Sequence, residues 1–181
     1  RFPFDEIYGI HNMPGLPVGT FQTKAGAFMS AEDNFAIVLK GVGGHAARPH
    51  TASEVMVAAC ATVMNLQTIV SRRLNSVTEL LSDGTRNALP GLARILGDAR
   101  SFRPEVSAEI EKQMRTIAQA TAATYNVKAE VSYSREFIPL VNDAALASEA
   151  IEAARNVFEA DAITVAIEPI TASEDFAQFL Q

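Results

Sequence analysis

"FAIVLKGVGGHAARPHTASE", Phe35–Glu54, is the stretch on which the fold turns. Phe35, Ile37 and Leu39 alternate with Ala36, Val38 and Lys40, the two-residue period of a strand with one buried face. Three glycines and two of the chain's three histidines follow at once, between Gly41 and His50. Glycine there permits backbone shapes closed to other residues and lets a ligand approach the main chain. Thr51 and Glu54 then stand three apart, the spacing of a capping box that opens a helix. Val55, Ala59, Val63, Leu66 and Val70 continue at helical spacing, which predicts a helix to about Arg72.

Outward from this strand, loop and helix the pattern continues. Val77–Leu81 reads as a second strand and Leu92–Phe102 as a third, joined by "SDGTRNALPG". Pro104 suits the first turn of a second helix, with Val106, Ile110, Met114, Ile117 and Tyr125 on its buried face. Asn126 is expected to close that helix in a left-handed conformation. Val127, Ala129, Val131 and Tyr133 alternate as a fourth strand. The order β-α-β-β-α-β from Asp33 to about Phe137 is that of a ferredoxin-like unit, a four-stranded antiparallel sheet with two helices on one face.

The flanks differ. Residues 1–32 are rich in glycine and proline and read as loops with short strands. Residues 139–181 read as a helix over Ala144–Phe158, a buried strand in "AITVAI" and the start of a helix in "SEDFAQFL". The class is therefore α+β, with a unit over residues 33–138 inserted between two pieces of a second, α/β domain, 1–32 and 139–181. The chain opens on Arg1 and stops inside that young helix, so it reads as a piece of a longer protein.

Composition excludes several classes of function. Hydrophobic residues make up 48% and charged residues 20% of 181, as in an ordinary globular protein. A net charge of −6 with no basic stripe argues against nucleic acid as a partner. No apolar run approaches the length of a membrane span and the opening residues do not read as a signal peptide, so the expected compartment is cytoplasmic and no membrane partner is expected. Cys60 is the single cysteine, so no disulfide forms within the chain.

Four clusters carry possible chemistry. His45, displayed by the glycine loop, has the means to donate to a developing oxyanion or to bind a metal; the plain alternative is an exposed turn histidine. His50, just before the helix, is expected to be structural. His11 ends "EIYGI", expected as a short strand, before a turn set by Pro14, Gly15 and Pro17; alone it does not make a catalytic zinc site, which needs about three protein ligands. Asn87 lies in the loop before the third strand. Arg100, near that strand's end, has the fork that clamps a carboxylate, or else makes a surface ion pair. In "TASEDFAQF", Ser173 caps a helix with Glu174 and Asp175 in its first turn, or the turn lines a pocket.

Together, "FDEIYGIHNMPGLPVG", "AEDNFAIVLKGVGGHAARPH", "RNALPGLARILGDARSF" and "ASEDFAQF" occur in the order and spacing of one family. The chain resembles the two-metal amidohydrolases that include hippurate hydrolase, N-acyl-amino-acid amidohydrolases and the plant hydrolases of indoleacetyl-amino acids, over essentially its whole length. The resemblance implies that residues 33–138 are the family's lid, which pairs edge to edge across a homodimer, and that the flanks are parts of a metallopeptidase catalytic domain. It matches His11 to a metal ligand and His45 to the lid histidine that steadies the oxyanion, in many members in the partner subunit's active site. Asn87 and Arg100 match lid positions that hold the substrate's amide and carboxylate. The "SEDF" turn matches a pocket segment, with no definite role for Glu174. The implied cofactors are two divalent ions, zinc, manganese or cobalt.

Departures accompany the likeness. The family's His-x-Cys-Gly-His-Asp-type stretch, its Glu-Glu pair with the general base and its late histidine ligand are not among these residues. Thr85 and Arg86 stand where small residues are usual, and Gly91 where an acidic one is common. The expectation is an amidohydrolase acting on N-acyl amino acids such as hippurate, with these 181 residues inactive by themselves. The rival readings are a non-catalytic ferredoxin-like module that dimerises or binds a small molecule, and a family fold that has lost its metal ligands.

Overall fold

The computed structural model describes residues 4–69 and 77–180. Val70 and Arg72, expected on the first helix, lie outside the described residues. Contacts divide the chain into two compact units, a flanking unit of Arg1–Ser30 with Phe137–Gln181 and a central unit of Ala31–Glu136.

In chain order, short strands β1 (Phe21–Gln22) and β2 (Gly26–Met29) precede β3 (Ala31–Lys40) and β4 (Gly44–His45). Helix α1 (Val55–Leu66) leads to β5 (Val77–Ser82), β6 (Ala88–Leu89) and β7 (Leu92–Ser101). Helix α2 (Pro104–Thr124) is followed by β8 (Lys128–Phe137), β9 (Leu140–Asn142), α3 (Ala144–Ala154) and β10 (Ile163–Thr164).

The central unit is built on a sheet of order β5-β7-β3-β8, in which β7 runs antiparallel to both β3 and β5. The alternation in β3 sets its register: Phe35, Ile37 and Leu39 lie opposite Gly97, Ile95 and Ala93. Ile37, Leu39, Ala93 and Ile95 are fully buried and pack against Val55, Ala58, Ala59 and Leu66 of α1 and Ile110, Met114, Ala118 and Ala122 of α2. Burial of each large aliphatic side chain in this layer contributes about 1.5–3 kcal/mol. Helix α2 ends as expected. Asn126 has φ 54°, Val127 N–H donates to the Ala122 carbonyl at 3.0 Å, and Asn126 N–H to that of Ala123 at 3.2 Å.

A buried polar trio crosses this core. Asp33 is 2% exposed and accepts from Tyr133 Oη at 2.8 Å and from Ser107 Oγ. Burial first, and then the Asp33 carboxylate, push the Tyr133 phenol well above its ordinary range. Asp33 shares the inward parity of Phe35, Ile37 and Leu39 along β3.

Helix α1 begins otherwise than expected. It starts at Val55 behind a 3-10 turn, Pro49–Thr51, and Thr51 Oγ1 donates to the Arg48 carbonyl at 2.8 Å instead of capping the helix. The chain must first fold back on the glycine loop: Val42 N–H donates to Ser53 Oγ at 3.1 Å and Ser53 N–H to the Val42 carbonyl at 2.8 Å.

The flanking unit has a smaller core of Met29, Leu140 and Ala177, with Phe28, Ile138, Ile170 and Phe176 against it. β2 pairs antiparallel with β9, and β1 parallel with β10. Asp143 caps α3, accepting from Ala145 N–H at 2.8 Å and Leu146 N–H at 3.1 Å. Three expectations are corrected here. "EIYGI" forms no strand, and "AITVAI" contributes only Ile163–Thr164, with Val165 46% exposed. Asp175–Leu180 winds as a 3-10 helix. The first two runs find little opposing surface to bury against, whereas Ala177 and Phe176 of the third join the small core. No helix among the described residues is long and apolar enough to cross a membrane.

Candidate functional site

Two loops of the central unit are stitched together by their backbones. Gly44 and His45 of β4 pair antiparallel with Leu89 and Ala88 of β6. Gly41 N–H donates to the Gly91 carbonyl at 2.8 Å, and Ala46 N–H to that of Asn87 at 3.2 Å. The glycines serve close approach, not unusual backbone angles: positive φ is confined to Gly15, Gly19 and Gly26 among the described glycines. A Cβ on Gly41 would stand 2.7 Å from Ser53 Cβ and 2.7 Å from Val55 Cγ2, and one on Gly43 3.1 Å from the Gly91 nitrogen.

Between the loops lies an open recess of about 550 Å³ lined by Gly43, Gly44, His45, Asp83, Asn87, Ala88, Leu89 and Gly91. Two expected site residues, His45 and Asn87, therefore meet in it. Ala47 N–H donates to His45 Nδ1 at 3.1 Å, which makes Nδ1 the acceptor and puts the neutral ring's proton on Nε2. His45 is thus a ready Nε2–H donor. Asn87 sits in a tight turn closed by Thr85 N–H to the Ala88 carbonyl at 3.1 Å and Ala88 N–H to the Thr85 carbonyl at 3.2 Å. Thr85 Oγ1 donates to Asn87 Oδ1 at 3.3 Å, which leaves the Asn87 amide N–H₂ to donate. Asp83, which sequence reasoning passed over, lines the same recess and holds Leu92 N–H at 3.0 Å through Oδ1.

Arg100 does not join them. It lies opposite Glu32 in the β3–β7 register, with Nη2 3.0 Å from Glu32 Oε2 and Nε 2.8 Å from Asp98 Oδ2. Eight residues of β7 separate it from Leu92 beside the recess, about 26 Å at roughly 3.3 Å per residue. Of its two sequence readings, the ion pair is what the structure contains.

In the flanking unit His11 Nε2 meets Glu174 Oε2, and Glu174 Oε1 accepts from Phe176 N–H at 3.1 Å. The Phe176 N–H holds the Glu174 carboxyl below the usual carboxylate range against the opposite push of burial, and His11 adds to it. The His11 side chain is 54% exposed and that of Glu174 14%. Glu174, left without a role by the sequence, is thus the partner of the expected metal ligand. An imidazole and a carboxylate suit zinc, manganese or cobalt, but no group of three or more His, Cys, Asp and Glu converges among the described residues. His11 fits as one ligand of a metal site, which these residues do not complete.

The model of peptidase family M20/M25/M40 matches residues 1–181. The chain belongs to this family. It is 33% identical over 184 residues to N-acetyl-L-cysteine deacetylase of Bacillus subtilis strain 168, covering 98% of this chain and 44% of that protein. It is 31% identical over 183 residues to N-acetyldiaminopimelate deacetylase of Anoxybacillus flavithermus, covering 97% of this chain and 48% of that protein. Among solved structures it is similar to the YXEP protein of Bacillus subtilis, a dinuclear metal binding peptidase from the M20 family, with TM-score 0.76 and 30% identity over 93% of this chain and 43% of that one. The chain thus spans less than half the length of these relatives.

Proposed function

We propose that the chain is part of a metal-dependent amidohydrolase that removes the acyl group from N-acyl amino acids. The observation that carries the reading is that His45 and Asn87 line one recess, in a chain of this family. The central unit is read as the family's ferredoxin-like lid, and the flanking unit as parts of its catalytic domain. In the reaction the amide C–N bond breaks, the oxygen of water joins the acyl carbon, and a water proton ends on the leaving amine.

When bound, two divalent ions supply an activated water and polarise the carbonyl. His11 is proposed as one of their ligands, with Glu174 orienting its ring. His45 donates from Nε2 to the oxygen that gains charge, and Asn87 donates beside it. Because the neutral His45 tautomer already carries that proton, the donor is present before the substrate arrives. Hippurate-like substrates fall within the class; the names of the two relatives favour a short acetyl group. Arg100 takes no part in this reading.

The expected partner is a second copy pairing through a sheet edge. The β5 edge suits it better than β8. Leu80 and Leu81 on β5 are 38% and 45% exposed, whereas on β8 the Val131 carbonyl already accepts from Arg115 Nη1 at 2.6 Å.

The test uses the protein as its gene encodes it, loaded with zinc, manganese or cobalt and assayed on N-acetyl-L-cysteine, N-acetyl-L-alanine and hippurate. Hydrolysis abolished by a chelator is expected, and His45→Ala should lower kcat by about a hundredfold to a thousandfold. An active enzyme indifferent to His45→Ala overturns the role of His45. No hydrolysis under any metal returns the chain to the non-catalytic reading.

A further inference from the structure

Resting on the reading of His11 as a metal ligand, we propose that Glu174 fixes the His11 ring as its Nε2–H tautomer, so that Nδ1 is the atom that takes the metal. Glu174 Oε2 meets His11 Nε2. An ionised carboxylate only accepts hydrogen bonds, so the proton of this contact belongs to the imidazole. A neutral ring carries one proton, which leaves the lone pair on Nδ1. No hydrogen bond engages Nδ1 among the described residues, and the His11 side chain is 54% exposed.

The carboxylate is itself held. Its other oxygen, Oε1, accepts from Phe176 N–H at 3.1 Å, and the Glu174 side chain is 14% exposed. Phe176 also reaches the segment that carries His11: a Cβ on Gly9 would stand 3.5 Å from the Phe176 Cε2 atom. One residue thus holds Glu174 through its backbone and Gly9, two places before His11, through its ring. Each oxygen of Glu174 has its own donor, one from the 3-10 helix and one from the imidazole. A carboxylate on the far nitrogen of a ligating histidine fixes the tautomer and orientation of the ring and raises its basicity. Glu174 is therefore a positioning residue, acting on the metal through His11.

The experiment uses the protein as its gene encodes it, freed of metal by a chelator and carrying nitrogen-labelled histidine. Long-range proton–nitrogen NMR spectra, with His11→Gln to assign the resonances, should show the His11 proton on Nε2. Zinc should then move the Nδ1 resonance. Glu174→Gln is the matched variant. Its side-chain carbonyl keeps the Phe176 N–H, which turns its N–H₂ toward His11 and favours the opposite tautomer. Zinc affinity at His11, followed by the same resonance in competition with a chelator, should fall by about tenfold to a hundredfold. The Tm of the metal-free variant should stay near that of the wild type.

Each outcome decides. Movement of Nε2 on zinc binding, or a Glu174→Gln protein that binds zinc as the wild type does, overturns the proposal. Zinc that moves neither His11 nitrogen overturns it too, and hydrolysis by that same protein leaves the amidohydrolase reading standing without His11. Zinc on Nδ1 in a protein that hydrolyses no N-acyl amino acid supports the proposal and removes the amidohydrolase reading. If Glu174→Gln does not fold, the tautomer and the zinc-shifted nitrogen of the wild type decide alone.

Discussion

The two units of this chain differ in how their apolar residues are used. In the central unit β3, β7, α1 and α2 share one continuous core, with Ile37, Leu39, Ala58, Ala59, Ala93 and Ile95 wholly buried. In the flanking unit the buried hydrophobic cluster is Met29, Leu140 and Ala177, while Ile10, Val18 and Val157 are 89%, 104% and 77% exposed. The same residue types therefore mean different things. In the central unit an apolar residue at the right period marks an inward face; in the flanking unit it does not.

The largest test of that contrast is a pair of core truncations. Leu39→Ala should cost about 4 kcal/mol and Leu140→Ala, at the smaller cluster, about 2 kcal/mol. Native-state hydrogen exchange reads the two units separately. Loss of protection at β7 amides in Leu140→Ala would break the comparison, because it would mean that the units open together.

Next comes the buried trio. Asp33→Ala leaves the Ser107 and Tyr133 hydroxyls without their acceptor and should cost about 1–3 kcal/mol. Tyr133 links this to pH. Its folded pKa is raised, so its contribution to stability is present below about pH 10, the unfolded value, and is lost as pH rises through the folded one. Alkaline titration of tyrosine absorbance should show one late-ionising group in the wild type, moved toward the ordinary range in Asp33→Ala. An unchanged titration would sink the assignment.

The smallest effect is at the surface of the central unit. The hydrogen bond from Arg115, against some burial and with help from Arg135, holds the Glu111 carboxyl below its ordinary range. A lowered folded pKa means stability present above about pH 4.3, the unfolded value, and lost as pH falls through the folded one. Glu111→Gln should flatten the acid limb of the stability profile. Its half-exposed arginine partners keep the effect slight.

Much of the central unit was legible because its signals are local and periodic. The strand alternation around Ile37, the helical spacing from Val106 to Tyr125 and the left-handed Asn126 each follow from backbone geometry that a short window displays. His45 and Asn87 were legible as candidates because glycine and turn residues announce loops. Their meeting was not, since 42 residues separate them and only the β4–β6 pairing closes that distance. The helix start at Val55 was misread for the same reason: the bonds that override the Thr51–Glu54 box come from Val42.

The amino-acid sequence by itself determined the order of elements in the central unit, the inward faces of its strands and helices, and the residue types available for chemistry. Tertiary structure alone decided which of them share a recess, that Glu174 faces His11, and that Glu32 pairs with Arg100 across the sheet. Period and propensity act over a few residues and are written in the chain. Burial and cross-strand ion pairing depend on which distant groups arrive beside each other, and that is settled only when the strands take their register.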